Sequence, residues 1–293
     1  MSDDGFGYLF LTPWLLGVVL FVGGPAVVSL YLSFTDFNLL SSPRWIGLQN
    51  YLEMFGEDPR YRKSVVVTLM YVIFSVPLSL LCALGLALLL NTKIKGLGIY
   101  RSIYYVPSLL GGSVAIAILW RQVFGGDGLV DRILQAFGMA PTSWISTPSL
   151  VIWTLIILHV WQFGSPMIIF LAGLKQIPQE LYEAAAVDGA PRWRRLTRIT
   201  LPLLTPVIFF NLVLQMIAAF QAFTPAFVVS SGTGGPTDST LFYTLYLYQQ
   251  GFANFRMGYA SAMGWVLLVM VGIFSAIAFL SSKYWVHYDD SRD

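Results

Sequence analysis

Long apolar intervals separated by short polar ones dominate the chain, and their lengths decide its class. Six such intervals run Tyr8–Phe34, Ser64–Leu90, Ser102–Trp120, Leu150–Leu174, Leu203–Val229 and Tyr259–Ser282. A helix needs about 20 apolar residues to cross a bilayer, and each interval meets or approaches that length. Lipid offers the backbone no hydrogen-bond partners, so such runs must satisfy their own bonds as helices. The pattern predicts an all-α, polytopic membrane protein with six spanning helices in a single domain over residues 1–293. The first interval is too long, and too poor in preceding basic residues, for a cleaved signal peptide. Pro13, Gly23, Gly24 and Pro25 predict a kink in it, which neighbouring helices can tolerate. No internal repeat and no Pro/Ser linker divides the chain.

Composition sharpens this picture by exclusion. The chain is 56% apolar and only 11% charged, against about a quarter charged in soluble domains. No Asp, Glu, Lys or Arg lies within the six intervals. A charge at the bilayer centre costs roughly 2.5–3.5 kcal/mol and is normally kept for function, so this absence argues against a proton-driven carrier. Sodium, held by backbone and hydroxyl oxygens, is not excluded by that argument. The chain also lacks a GxxxxGK[ST] phosphate loop, so it does not draw on ATP by the usual route. No HExxH and no intramembrane Asp pair suggests an enzyme. The single cysteine, Cys82, forbids an intramolecular disulfide, the two histidines offer no metal spacing, and no basic tract points to nucleic acid.

Basic residues set the expected orientation. With both termini inside, the inner loops carry Lys93, Lys95, Arg101, Lys175, Arg192, Arg194, Arg195, Arg198, Lys283 and Arg292. The outer loops carry Arg44, Arg60, Arg62, Lys63, Arg121, Arg132 and Arg256 over a longer stretch of chain. The denser side is expected to be cytoplasmic, although Asp3 and Asp4 stand where a basic tail is usual.

One polar stretch interrupts this apolar chain. Gln179–Gly189 predicts a short helix: Pro178 suits its first turn, Glu180 and Glu183 sit at the favourable end of its dipole, and Ala184, Ala185 and Ala186 are strong formers. Gly189 is its stop, and four arginines follow between Arg192 and Arg198. On local composition a solvated loop helix accounts for this stretch as well as a docking knob does. The spaced pattern Glu183-Ala184-Ala185, Gly189, Ile199-x-Leu201-Pro202 resembles the EAA loop of ABC-importer permeases at every signature position. Ile177-Pro178, Leu181-Tyr182, Gly234-Gly235-Pro236 and Gly258-Tyr259-Ala260-Ser261-Ala262 extend the resemblance to the sugar (maltose-type) branch, from about Tyr8 to Tyr284. Six spans and short outer loops are most similar to its compact lactose, trehalose and glycerol-3-phosphate members.

That resemblance implies a type I ABC-importer permease fold in a prokaryotic cell membrane, with both termini and the coupling loop 175–202 in the cytoplasm. It implies a second homologous permease, two ATP-binding-cassette ATPase subunits, an extracytoplasmic solute-binding protein and surrounding lipid as partners. ATP and magnesium are expected on the ATPase, with no cofactor, metal or catalytic residue in this chain. Glu183, Ala184, Ala185 and Gly189 are the implied coupling residues. The four arginines admit two readings, contact with the ATPase or lipid phosphates, or topology anchoring, and anchoring is expected for most of them.

Polar groups in the fourth and fifth intervals, His159, Gln162, Asn211, Gln215 and Gln221, admit two readings. They are inter-helix hydrogen bonds worth on the order of 1 kcal/mol each, or, mixed with aromatic rings, they form a sugar site. The resemblance implies substrate contacts at Tyr104 and Ser108, at His159, Gln162 and Phe163, and at Phe220, Gln221 and Thr224. Asn211 and Gln215, one turn apart, are expected to pack against the partner permease. An uncharged route favours a neutral sugar over a glycerol-3-phosphate-type substrate. A stand-alone carrier for a neutral solute is the alternative from another class.

Overall fold

The computed structural model describes residues 3–92 and 96–287, so Lys93, Lys95 and Arg292 of the charge count lie outside the described residues. It is almost wholly helical, opening with α1 (Asp3–Val18), α2 (Gly24–Ser33), α3 (Gln49–Gly56) and α4 (Pro59–Leu90). Its one sheet pairs β1 (Thr35–Asp36) antiparallel to β2 (Arg44–Trp45), over two residue pairs. Four helical stretches are long and apolar enough to cross a bilayer: Leu11–Ser33, Pro59–Leu90, Arg192–Val229 and Met257–Trp285. Two bent pairs reach the same standard together, which makes six spans when each pair is one.

These bent pairs correct the straight helices expected from hydropathy. The third interval is two helices, α5 (Leu97–Leu110) and α6 (Val114–Phe124), the latter running on through α7 (Leu129–Ala136), with a 96° bend after α5. Gly111 and Gly112 carry no side chain to hold the turn. Ser113 starts a new helix there by accepting the Ile116 N–H at 3.3 Å. The fourth interval is α8 (Pro148–Trp161) and α9 (Gly164–Gln176), bent by 42°. Pro166 has no N–H for the carbonyl four residues back, Gln162, and that carbonyl turns elsewhere. The fifth span starts earlier than its hydropathy. α11 (Arg192–Arg195) leads through a π turn, Leu196–Thr200, into α12 (Leu201–Phe220), so the arginines open a helix instead of occupying a loop.

The chain divides into two compact units. One comprises the residues up to Arg62 with Tyr246–Met270. Its polar centre is Asp58, whose Oδ2 accepts the hydroxyls of Tyr246 and Tyr259 at 2.6 Å each. Arg256 pairs with Glu53 at 2.6 Å, and Asn50 donates to the carbonyls of Ser33 and Thr35 at 2.9 and 3.0 Å. The other unit comprises Lys63–Leu245 and the residues from Val271. Phe170, Leu155, Ile156, Met167 and Leu204 are fully buried in its core. Trp120 of α6 donates to the Thr154 carbonyl of α8 at 2.8 Å. Elsewhere the helices keep apolar side chains outward: Phe21 is 81% and Leu280 65% exposed. A surface of this kind needs lipid or partner helices around it.

Candidate functional site

Two places in the second unit carry polar chemistry, the helix breaks and the stretch after α9.

At the breaks, backbone groups freed by one helix are satisfied by the other. Ser108 of α5 donates its hydroxyl to the Gln162 carbonyl at 2.8 Å, the carbonyl that Pro166 leaves without its usual donor. The same Oγ accepts the N–H of Ser165 at 2.9 Å. Gln162 returns the bond, its Nε2 donating to the Gly111 carbonyl at 3.2 Å and to the Leu158 carbonyl at 3.3 Å. The helices meet this closely because position 164 has no Cβ: one there would lie 2.7 Å from the Tyr104 carbonyl and 2.8 Å from Ser108 Oγ.

Beside the breaks lies a cavity of about 310 Å³. Ser108, His159, Gln162 and Thr224 line it, joined by Gln215, one of the polar groups of the sequence, and by Tyr71, Ser165 and Phe223, which were not expected there. His159 Nε2 is buried with no hydrogen-bond partner. The imidazole stands edge-on to Tyr71, ring centres 5.7 Å apart, and Tyr71 is itself 4.6 Å from Phe242. Gln215 donates to Ser79 Oγ at 3.1 Å and stays half-buried beside the cavity. Asn211 likewise bonds internally, to the Val207 carbonyl at 3.0 Å. Among the described residues no Asp, Glu, Lys or Arg lines the cavity. The unpartnered His159 Nε2, with amide and hydroxyl oxygens between aromatic faces, suits a polyhydroxylated molecule, whose C–H faces rest on rings while its hydroxyls exchange hydrogen bonds.

The remaining four predicted contacts fall outside this lining. Tyr104 and Phe163 face each other at 6.1 Å. Phe220 is 1% exposed and packs on Phe274 at 5.1 Å. Gln221 caps α12 and is solvent-exposed. The polar signal at Gln215 was visible in the sequence. The face it occupies was not, because helix phase alone does not say which neighbour lies opposite.

The second place is α10 (Gln179–Val187), which buries none of its residues. Gly189 ends it at φ +72°, with Ala190 N–H bonding the Ala185 carbonyl at 2.9 Å and Gly189 N–H the Ala186 carbonyl at 3.1 Å. This six-to-one and five-to-two pairing requires the left-handed residue that glycine supplies. Gln179 donates to Glu183 Oε1 at 2.9 Å, and Tyr182 shares a 2.9 Å hydrogen bond with Thr200, fixing α10 to the start of the next span. A nine-residue helix with no buried side chain is marginal in water alone. Glu183 and Ala184 are exposed, and Val187 at its end is 90% exposed.

The family described as "Binding-protein-dependent transport system inner membrane component" matches residues 58–286. The probable ABC transporter permease protein YesP of Bacillus subtilis (strain 168) is 52% identical over 293 residues, covering 100% of this chain and 95% of its own. The lactose transport system permease protein LacF of Rhizobium radiobacter is 32% identical over 283 residues, covering 94% of each chain. Among solved structures, a bacterial alginate ABC transporter in complex with alginate pentasaccharide-bound periplasmic protein superposes with a TM-score of 0.83 at 23% identity, over 96% of this chain and 95% of that one. At that identity the likeness establishes the fold.

Proposed function

We propose, from the premise that this chain belongs to the family of binding-protein-dependent transport system inner membrane components, that it forms half of the translocation pathway for a mono- or oligosaccharide. The chain is a membrane-embedded permease subunit of an ABC importer. The observation that carries the sugar reading is the cavity of about 310 Å³ beside the helix breaks, polar and aromatic but without a carboxylate or a basic side chain among its described lining. The lactose-transport name of one relative supports it.

In this reading His159, Thr224 and the amide oxygens of Gln162 and Gln215 offer hydrogen bonds to sugar hydroxyls, and Tyr71 and Phe223 offer ring faces. Ser108 is committed to the breaks and shapes the cavity wall. The stretch 175–202 faces the cytoplasm with both termini, and α10 seats in an ATPase subunit through Ala184, Ala185 and Glu183. ATP and magnesium belong to that partner. A second, homologous permease completes the pathway and an extracytoplasmic binding protein delivers the sugar. All six spans act as one permease domain.

The test is uptake into proteoliposomes holding the permease pair and ATPase, with binding protein outside. Sugar uptake that requires both ATP and the binding protein is expected. Uptake by this polypeptide alone, without ATP, overturns the proposal in favour of a facilitator. Loss of uptake on His159→Ala with insertion intact assigns the cavity to the route.

A further inference from the structure

Three arginines border one hollow at the elbow between α10 and the span that opens at Arg192. Arg194, Arg195 and Arg198 line a hollow of about 670 Å³ with Ala185, Asp188 and Ile199. Among the described residues no ion pair joins these arginines to an acid, and Asp188 is the one carboxylate on the wall. Arg195 Nε is buried without a hydrogen-bond acceptor. A buried charged donor left unmade is costly, and three like charges around one space repel. An oxyanion in the hollow relieves both, and the planar fork of arginine matches phosphate oxygens.

Depth identifies where that anion comes from. The arginines occupy the first two turns of a helix that continues through Leu201–Phe220 as a spanning segment. Trp193, 72% exposed, sits among them, and aromatic side chains of this kind settle at membrane–water interfaces. Ile199 supplies an apolar part of the wall of the hollow. Basic pockets at the ends of spanning helices are where anionic headgroups are held. Topology anchoring needs only positive charge, and it explains neither the convergence nor the buried, unpaired Nε.

We propose that this hollow binds a phosphate-type anion, supplied by the headgroup of an anionic phospholipid. The purified permease complex, stripped in mild detergent and offered phosphatidylglycerol, phosphatidylcholine or inorganic phosphate, is read by native mass spectrometry for what it retains. Retention of phosphatidylglycerol over phosphatidylcholine is expected, reduced about tenfold in R194Q/R195Q/R198Q. R194K/R195K/R198K keeps the charge that topology needs but loses the fork, and it is expected to lose retention several-fold. That variant decides the matter if the glutamine variant does not insert.

Equal retention by the wild-type complex and the lysine variant overturns the proposal, as does equal retention of the two lipids. Displacement of phosphatidylglycerol by inorganic phosphate at comparable concentration overturns the lipid source. Retention that appears only after the ATPase is removed reassigns the arginines to a protein interface.

Discussion

Gln162 donates its side-chain amide to the Gly111 carbonyl at 3.2 Å, so the break in one spanning helix is closed by a residue at the break in another. Replacing Gln162 with leucine leaves that carbonyl and the Leu158 carbonyl without this donor at the membrane interior. An unmade buried bond costs about 1–3 kcal/mol. Gln162→Leu is expected to lower the thermal midpoint of the detergent-purified chain by several degrees, and Gln162→Glu to lower it further at neutral pH, because a carboxylate adds an unpaired charge facing the two carbonyl oxygens. Scanning fluorimetry on the two variants checks the order.

Gly164 predicts a sharper effect at the same place. A methyl group there meets the Tyr104 carbonyl at 2.7 Å and the Tyr105 Cα at 2.8 Å, both backbone atoms that cannot swing aside. Forcing the two helices apart costs about 1–3 kcal/mol by analogy with overpacked cores. Gly85 of the Pro59–Leu90 helix is the control, since a methyl group at that position would meet nothing within 4 Å. Gly85→Ala is expected to be neutral or slightly stabilising, while Gly164→Ala lowers both thermal stability and sugar uptake. Equal midpoints for the two variants would remove close approach as the reason for glycine at 164.

Gly189 separates backbone conformation from space. Its φ is +72°, yet no atom lies within 4 Å of where a Cβ would stand. The cost of a side chain there is the left-handed backbone alone, about 1–2 kcal/mol for an ordinary residue and less for asparagine. Gly189→Val is expected to insert normally but to lose sugar-stimulated ATP hydrolysis in the assembled complex. Gly189→Asn is expected to retain most of it. Full coupled turnover in the valine variant would show that the turn after α10 does not transmit force.

These positions also show what the sequence made legible. Gly189 and the alanines before it form one continuous helix and stop, so local propensity and cap chemistry were enough to place α10. The apolar intervals were equally plain, because bilayer thickness fixes their length. The breaks were not: hydropathy stays high through Gly111 and Gly112 and masks the local signals of the 96° bend, the glycine pair and the Ser113 cap. The cavity was half legible. His159, Gln162 and Thr224 stood out as polar groups among apolar ones, whereas Tyr71 sits in a different helix, 88 positions before His159, and only tertiary packing brings their rings to 5.7 Å. Phe220 and Gln221 fall outside the cavity lining, since a helix turn moves adjacent residues to different environments.

Asp58 gives a pH dependence whose sign can be worked out. Burial raises its carboxyl, but hydrogen bonds from Tyr246 and Tyr259 and from the Tyr61 and Arg60 backbone outweigh that and hold it below the usual 3.8. A folded-state value below the unfolded one means the unfolded chain binds more protons in acid. This contribution is therefore fully present above about pH 4 and is lost as pH falls through the depressed value. Tyr246 acts at the other end: burial first, then its bond to Asp58, raise the phenol, so its share is lost as pH climbs past the unfolded value near 10. Asp58 is partly exposed, which keeps the effect modest. Asp58→Asn, retaining shape without charge, is expected to lower the thermal midpoint at pH 7 and to flatten its decline as pH falls below about 4, where the wild-type contribution is lost. Parallel decline of the two proteins over that range would mean that the two tyrosine hydroxyls do not depend on a charged acceptor.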